Sequence, residues 1–194
     1  VETDHHVGRV LDYLEKSGLD ANTMIFFSSD NGPERSWVER IEEFGHDSSG
    51  IYKEGKRSIY EGGHRVPFFV RWPGGIKEPG RSWDGLVGQI DLLSTVAEMI
   101  GAKLPGYAGE DSQSFYSVLR KANSSHKRLP LLNHAIGGRL SITEGSWKLI
   151  MPHEKLGYEL YNLARDPGEE SNVFDGNPEL SLIHISEPTR PSVI

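Results

Sequence analysis

Two neighbouring oxygen-bearing side chains, Asp30 and Asn31, directly follow a short apolar run in the sequence. One offers an anionic carboxylate and the other a neutral amide oxygen, a pair that suits a hard cation such as Ca²⁺ or Mg²⁺. At the carboxyl end of a strand the backbone turns, so both side chains can face one point at the edge where ligands gather in α/β sheets. Asp-Asn-Gly is also a common turn, and these residues alone leave both interpretations open.

A second group of chemically capable residues lies between Gly55 and Pro67. Lys56 and Arg57 place positive charge in a region otherwise rich in acids, and a lysine ammonium is a compact charge that can sit against an anionic ester. Gly62 and Gly63 permit a tight backbone approach or positive φ angles before the next apolar run. The alternative interpretation is a solvated basic loop.

The elements that must position these residues follow from apolar periodicity. The spacing predicts a helix over residues 2–17, and a short apolar run predicts a buried strand over 23–29. Residues 34–63 are polar and glycine-rich, which predicts a long loop. A second buried strand is predicted over 66–72 and an amphipathic helix over 90–100, with a short helix near 115–120. Helices alternating with buried strands indicate an α/β layer.

After about residue 125 the pattern changes to short alternating segments, separated by Gly145 and Gly157. They predict a small antiparallel sheet with strands near 140–143, 147–150 and 158–161. We therefore expect two domains, residues 1–122 and residues 123–180.

Bulk composition excludes several functions. The net charge of −7 argues against nucleic acid as a partner, because binding to its backbone needs clustered basic residues. No apolar run approaches the length of a membrane span. The chain has no cysteine, so a disulfide, a thiolate metal site and a cysteine nucleophile are all excluded within it.

Both ends of the chain carry unusual features. It begins at Val1, without an initiator methionine or signal peptide, which predicts that it is a piece of a longer protein. The last segment, residues 181–194, resembles the translated read-through of a sequencing adapter. We interpret it as a non-native tail and give it no functional role.

In combination these segments resemble the sulfatase family, and the resemblance spans roughly residues 1–180. The family has a strand ending in S-D-N-G-P, a loop with G-K-x-x-x-Y-E-G-G-x-R-V-P, and a strand ending in W-P-G, in that order. Further likenesses are a D-L-x-P-T helix, a W-K-L-I strand and an L-Y-N-L-x-x-D-P-x-E ending. The matching segments here are Ser29–Pro33, Gly55–Pro67, Trp72–Gly74, Asp91–Thr95, Trp147–Ile150 and Leu160–Glu169.

The resemblance implies roles for individual residues. Asp30 and Asn31 would be two of the calcium ligands, and Lys56 would contact the sulfate group near the leaving oxygen. Sulfatases attack sulfur with a formylglycine made from the first residue of a C/S-x-P-x-R motif near the N-terminal side. That motif and the family's other acidic ligands have no counterpart at the expected place in this chain. Ser186–Arg190 matches the letters, but we reject it because it follows the S-D-N-G strand and Pro191 interrupts any helix.

The histidines are less decisive. His46 and His64 flank the loop that carries Lys56, where either could line a substrate pocket or lie on the surface. None of the histidines has the spacing of zinc ligands.

The resemblance thus predicts the C-terminal part of an alkaline-phosphatase-like α/β sandwich with a small antiparallel subdomain. It implies a parent enzyme, exported to the periplasm, the extracellular space or the lysosome, that hydrolyses a sulfated small molecule or glycan with Ca²⁺ and formylglycine. One alternative is a phosphate-ester hydrolase of the same superfamily, which usually binds two metals through added His and Asp residues. Another is an inactive fragment or pseudoenzyme, and we expect this chain by itself to be inactive.

Overall fold

The computed structural model describes residues 1–121 and 124–180. They form two compact units that interleave along the chain. The first comprises Val1–Ser28 and Pro67–Lys127, and the second comprises Ser29–Val66 and the described residues from Arg128 onward. The boundary predicted at residues 122 and 123, the tail 181–194 and the rejected motif Ser186–Arg190 lie outside the described residues, so those three predictions stay as predictions.

The first unit contains two helices that match the predicted periodicity. Helix α1 spans Glu2–Lys16 and ends before Gly18, whose φ of +67° is one that glycine adopts readily. Helix α4 spans Leu92–Ile100, after a 3₁₀ turn at Gln89–Asp91, and ends at Gly101 with φ +68°. The short helix α5 spans Tyr116–Arg120.

Asp91, the last residue of the 3₁₀ turn before α4, has a structural role in this unit. Its carboxylate is fully buried and accepts hydrogen bonds from the backbone N–H groups of Gly88 and Gln113, at 2.8 and 2.9 Å. The Thr95 hydroxyl donates to the Asp91 carbonyl oxygen and accepts from the Phe115 N–H. This pair of side chains fixes the start of α4 to the chain before α5, because each satisfies buried backbone groups.

The predicted strands form, but they are less buried than we expected. Strand β1 (Ile25–Ser28) pairs antiparallel with β2 (Phe68–Arg71), with Ile25 opposite Arg71 and Ser28 opposite Phe68. Phe26 and Phe68 pack against the core around Phe115. Phe27 and Phe69 point to the opposite face and are 37% and 63% exposed. The prediction of strands buried on both faces is wrong for the described residues, since alternating side chains leave one face of this two-stranded sheet open.

The second unit is built on a four-stranded antiparallel sheet. Its strands are β3 (Leu131–His134), β4 (Leu140–Glu144), β5 (Trp147–Ile150) and β6 (Glu159–Asn162), and they lie in this order in the sheet. The last three were predicted and β3 was not. A core of Ile59, Ala135, Ile150, Tyr161 and Leu163 lies against this sheet.

The predicted long loop over residues 34–63 is partly helical, which corrects the prediction. Helix α2 spans Trp37–Phe44 and ends at Gly45 with φ +65°. The short helix α3 spans Glu61–His64. The α2 signal was present in the sequence, because Trp37, Ile41 and Phe44 recur at helical spacing, but it covers only two turns.

Candidate active site

Asp30 and Asn31 lie in the turn that directly follows β1, as the sequence predicts. The Ser29 hydroxyl donates to the Asn31 carbonyl oxygen at 2.8 Å, and the Asn31 side-chain amide donates to the Gly32 carbonyl oxygen at 3.0 Å. These bonds use the amide nitrogen of Asn31 and leave its side-chain oxygen available. The Asp30 carboxylate is exposed and accepts no hydrogen bond from the residues that the structure describes. The Asp30 carboxylate and the Asn31 side-chain oxygen are therefore available to a ligand.

The loop that carries Lys56 is joined to this turn through the backbone. The Lys56 N–H donates to the Pro33 carbonyl oxygen at 2.9 Å, and the Gly32 N–H donates to the Gly63 carbonyl oxygen at 3.0 Å. Two segments that are separated in sequence, the S-D-N-G-P turn and the G-K…E-G-G loop, therefore form one local structure. Three of the predicted site residues, Asp30, Asn31 and Lys56, therefore lie on backbone segments that are hydrogen-bonded to each other.

Glycine is required at this junction because the backbones touch. A Cβ on Gly32 would lie 1.7 Å from the Gly62 carbonyl oxygen, and one on Gly62 would lie 2.1 Å from the Glu54 carbonyl oxygen. A Cβ on Gly63 would lie 2.5 Å from the Ser58 carbonyl oxygen. None of these three glycines has a positive φ. Of the two roles considered for Gly62 and Gly63, close approach is the one that the structure shows.

The Lys56 ammonium has an acidic neighbour that the sequence did not reveal. Its Nζ lies 3.2 Å from Glu34 Oε2, and the Arg57 guanidinium lies 2.6 Å from Glu34 Oε1. The hydrogen bond from the Arg35 backbone N–H, followed by those from Arg57 and Lys56, lowers the pKa of Glu34 to about 2. Glu34 therefore stays ionised at any physiological pH. Lys56 is one-third exposed, so a solute can reach it.

Arg57, next to Lys56, has a backbone conformation that is unusual for a side chain with a Cβ. Its φ is +78°, in the left-handed region that costs a non-glycine residue roughly 1–2 kcal/mol. The Arg57 carbonyl oxygen accepts a hydrogen bond from the Ile136 N–H at 3.3 Å. This bond and the ion pair with Glu34 hold the residue in that conformation.

The two candidate histidines differ in position. His64 ends helix α3, beside Gly63, and is partly buried. Burial, followed by the nearby charge of Lys148, lowers the pKa of His64 below its usual value, so the ring is neutral at pH 7. His46 is exposed after helix α2, and its backbone N–H donates to the Arg40 carbonyl oxygen. His64, but not His46, therefore lies in the same short helix as Gly62 and Gly63.

Beneath the loop lies a buried cluster of charges that sequence reasoning did not identify as part of a site. The Lys148 ammonium lies 3.0 Å from Glu61 Oε1 and 2.9 Å from Glu169 Oε1. Burial alone would raise the pKa of Glu61, but Lys148 and Arg65 together lower it. Burial raises the pKa of Glu169 despite Lys148. The available signal was a charged residue inside each of three motifs, W-K-L-I, Y-E-G-G and D-P-G-E.

The side chains of Asp30 and Asn31 fit part of a calcium site. Carboxylate and amide oxygens are typical Ca²⁺ ligands, but Ca²⁺ takes six to eight of them. Among residues 1–121 and 124–180, no group of three His, Cys, Asp or Glu residues is placed to hold a metal ion. A calcium ion at this turn would need further oxygen ligands besides Asp30 and Asn31.

Comparison with known proteins tests the predicted family. The Sulfatase family model matches residues 1–102. The chain belongs to the sulfatase family. An N-acetylgalactosamine-6-O-sulfatase from Bacteroides thetaiotaomicron is 32% identical over 200 residues, which cover 93% of this chain and 38% of that protein. A steryl-sulfatase from Rattus norvegicus is 42% identical over 158 residues, which cover 78% of this chain and 25% of that protein.

Solved structures agree with this assignment. A Bacteroides thetaiotaomicron sulfatase, solved in work on glycosaminoglycan metabolism, has a TM-score of 0.82 and 32% identity, over 94% of this chain and 41% of that one. A second structure, which contains a bound k-i-k-neocarrahexaose, has a TM-score of 0.77 and 28% identity, over 93% of this chain and 39% of that one. The predicted fold class, the alkaline-phosphatase-like α/β fold with small antiparallel sheets, is confirmed.

This chain spans about two-fifths or less of the length of these sulfatases. The sulfatase family in general uses a catalytic metal ion and a formylglycine. Both of these relatives are named as sulfatases, which hydrolyse sulfuric esters. Within the described residues, no helix has the length and apolar character needed to cross a membrane.

Proposed function

We propose that the full-length protein containing this chain hydrolyses sulfate esters, with Asp30 and Asn31 as calcium ligands and Lys56 in contact with the sulfate group. The observation that supports this proposal best is the pair of backbone hydrogen bonds from Gly32 to Gly63 and from Lys56 to Pro33. They hold two free oxygen ligands and a reachable ammonium in one local structure, which a solvated loop and an ordinary turn would not require.

The chemistry of these side chains suits a sulfate ester. Hydrolysis places negative charge on the sulfuryl oxygens and on the leaving oxygen. The Lys56 ammonium can stabilise that charge or donate a proton to the leaving oxygen. A calcium ion held in part by Asp30 and Asn31 would supply Lewis-acid stabilisation of the same charge. We place the formylglycine and the remaining acidic ligands in a part of the protein outside this chain.

Glu34 adds a competition to this scheme. In the structure its carboxylate contacts the Lys56 ammonium, the same group that an anionic substrate would contact. An exposed ion pair of this kind is weak, because water and salt screen it. The sulfate group would therefore displace Glu34 from Lys56 on binding, while Arg57 retains Glu34 through its own contact.

For the substrate we propose a sulfated sugar. The Bacteroides N-acetylgalactosamine-6-O-sulfatase aligns with nearly the whole chain, and the neocarrahexaose-bound structure shares the fold. The steryl-sulfatase from rat is more identical but over a shorter stretch, so a steroid sulfate is the second candidate. Rates on galactosamine-6-sulfate and on a steryl sulfate distinguish the two.

Two further proposals rest on the family alone. We propose that the protein is exported to the periplasm, the extracellular space or the lysosome. We also propose that residues 1–122 belong to the catalytic α/β domain of the parent and residues 123–180 to a C-terminal subdomain. The match of the family model to residues 1–102 supports the first part of this division.

The calcium part of the proposal is tested with Asp30→Asn in the full-length protein. This change keeps the size of the side chain and one oxygen but removes the charge. We expect weaker calcium binding and a lower rate, with partial rescue by excess Ca²⁺. Asp175→Asn is the matched control, because Asp175 is also an exposed acid of the second unit. Equal calcium dependence in both variants would exclude Asp30 as a ligand.

The sulfate part is tested with Lys56→Ala in steady-state kinetics across a calcium titration. We expect kcat to fall by roughly 10²–10³, as for the loss of a charge-stabilising donor, with little change in calcium affinity and no rescue by added metal. Lys155→Ala, at an exposed lysine of the same unit, is the control. A near-wild-type kcat in Lys56→Ala would refute the assignment. A wild-type protein that binds calcium and turns over no sulfate ester would support the pseudoenzyme alternative.

A further inference from the structure

The buried charge cluster described above joins three segments of the second unit. Lys148 and Glu169 are fully buried, and Glu61 is 6% exposed. The Lys148 ammonium contacts one oxygen of each carboxylate, at 3.0 and 2.9 Å. Arg65 completes the charge balance through a 2.7 Å contact with the other oxygen of Glu61. Charges this deeply buried are expensive to desolvate, so they need mutual compensation.

The cluster is attached to the loop that carries Lys56. Glu169 Oε2 accepts a hydrogen bond from the Glu61 backbone N–H at 2.5 Å. The Glu169 carbonyl oxygen accepts one from the Lys53 ammonium at 3.2 Å, and the Lys53 carbonyl oxygen accepts one from the Gly62 N–H at 2.9 Å. Both ends of the segment from Lys53 to Gly62, which includes Lys56, are therefore tied to Glu169.

The end of this segment and Gly63, the residue after it, contact the Asp30 turn. The Gly63 carbonyl oxygen accepts the Gly32 N–H, and a Cβ on Gly32 would lie 1.7 Å from the Gly62 carbonyl oxygen. Because these backbones are already in contact, a shift of Gly62 moves Gly32 and the two side chains before it. Lys148 is thus linked to Asp30 and Asn31 through Glu61 and two glycines.

We infer that Lys148 is a positioning residue, whose buried ammonium fixes Glu61 and Glu169 and thereby sets the placement of the Asp30–Gly32 turn and of the Lys56 loop. The functional meaning of that placement rests on the proposed function. The contacts of Lys148 do not depend on it. A buried ion cluster adds little net stability compared with apolar side chains of similar volume. Its directional contacts specify one geometry, and the groups that receive this geometry are those proposed for catalysis.

The first arm of the test measures amide hydrogen exchange in the full-length protein with Lys148→Met. We expect the Gly32 and Lys56 amides to exchange at least about tenfold faster, while the amides of β3 to β6 change much less. If Lys148→Met does not fold, Lys148→Met combined with Glu169→Gln removes one charge of each sign and leaves Glu61 paired with Arg65. The same selective loss of protection is expected in that variant.

Arg139→Met is the matched control. Arg139 is another buried cation of the same unit, and it pairs with Glu159 at 2.7 Å. Its loss should raise exchange across the sheet without singling out Gly32 and Lys56. Unchanged exchange at these two amides in the Lys148 variants, or a uniform increase like that of Arg139→Met, would show a purely structural role and overturn the inference.

The second arm measures kinetics on the same samples. We expect kcat to fall at least about tenfold with KM nearly unchanged in the Lys148 variants, because Lys56 and the calcium ligands act on charge that develops during reaction. Selective exchange with an unchanged kcat would also overturn the positioning role. If the wild-type protein hydrolyses no sulfate ester, the proposed function fails, and the exchange arm alone decides whether Lys148 sets the geometry.

Discussion

Gly32→Ala tests the contact between the two motifs most directly. The added Cβ would lie 1.7 Å from the Gly62 carbonyl oxygen, and real Cβ atoms essentially never approach closer than 3.0 Å. The two backbone segments must therefore separate by about 1.3 Å. Such a shift breaks the 3.0 Å hydrogen bond from Gly32 to Gly63, because it extends the bond beyond hydrogen-bonding range.

The magnitude follows from two costs. Forced overpacking against backbone costs about 1–3 kcal/mol, and the lost hydrogen bond costs about 1 kcal/mol more. A total of about 2–4 kcal/mol corresponds to a fall in Tm of roughly 4–16 °C for a chain of 194 residues. The assay is thermal unfolding of the 194-residue chain, monitored by circular dichroism.

Gly137→Ala is the matched control in the same unit. A Cβ at Gly137 meets no atom within 4 Å, and its φ is not positive. We expect no loss of stability there, or a gain of about 0.4–1 kcal/mol from the reduced entropy of the unfolded chain. If Gly32→Ala melts within about 2 °C of the wild type, the reasoning from the close contact between Gly32 and Gly62 is wrong.

Two predictions concern protonation. The Glu34 carboxyl should titrate near pH 2 in NMR, because the Arg35 N–H, Arg57 and Lys56 stabilise its charge. Arg57→Ala should raise that midpoint. A wild-type midpoint near 4.5 would contradict the contacts. The stability contributed by Glu34 is present above pH 4.5 and is lost as the pH falls towards 2. The His64 imidazole should titrate below pH 6.5, because burial and then Lys148 disfavour its charge. The unfolded chain then binds the proton more readily, so stability should fall as the pH drops below about 6.5, and His64→Gln should reduce that dependence.

The sequence alone was sufficient for the family and for most elements. Helix α1, helix α4, the two aromatic strands and three strands of the second sheet follow from periodicity, because apolar side chains must share one face. The position of Asp30 and Asn31 just after a strand also follows, since strand and turn chemistry are local. The ordered motifs identified the sulfatase family because their combination is far more specific than any one of them.

Only the tertiary structure decided how the candidate site is assembled. Nothing local pairs Lys56 with Glu34 or joins Gly32 to Gly63, because these contacts span 22 and 31 positions of the chain. The burial of Lys148 between Glu61 and Glu169 could not be predicted from the sequence either. A lysine in a strand is expected to face solvent unless buried partners for its charge are known. Likewise, pattern could not show that β1 and β2 keep one face open, because burial depends on what packs against a sheet and not on the strand's own residues.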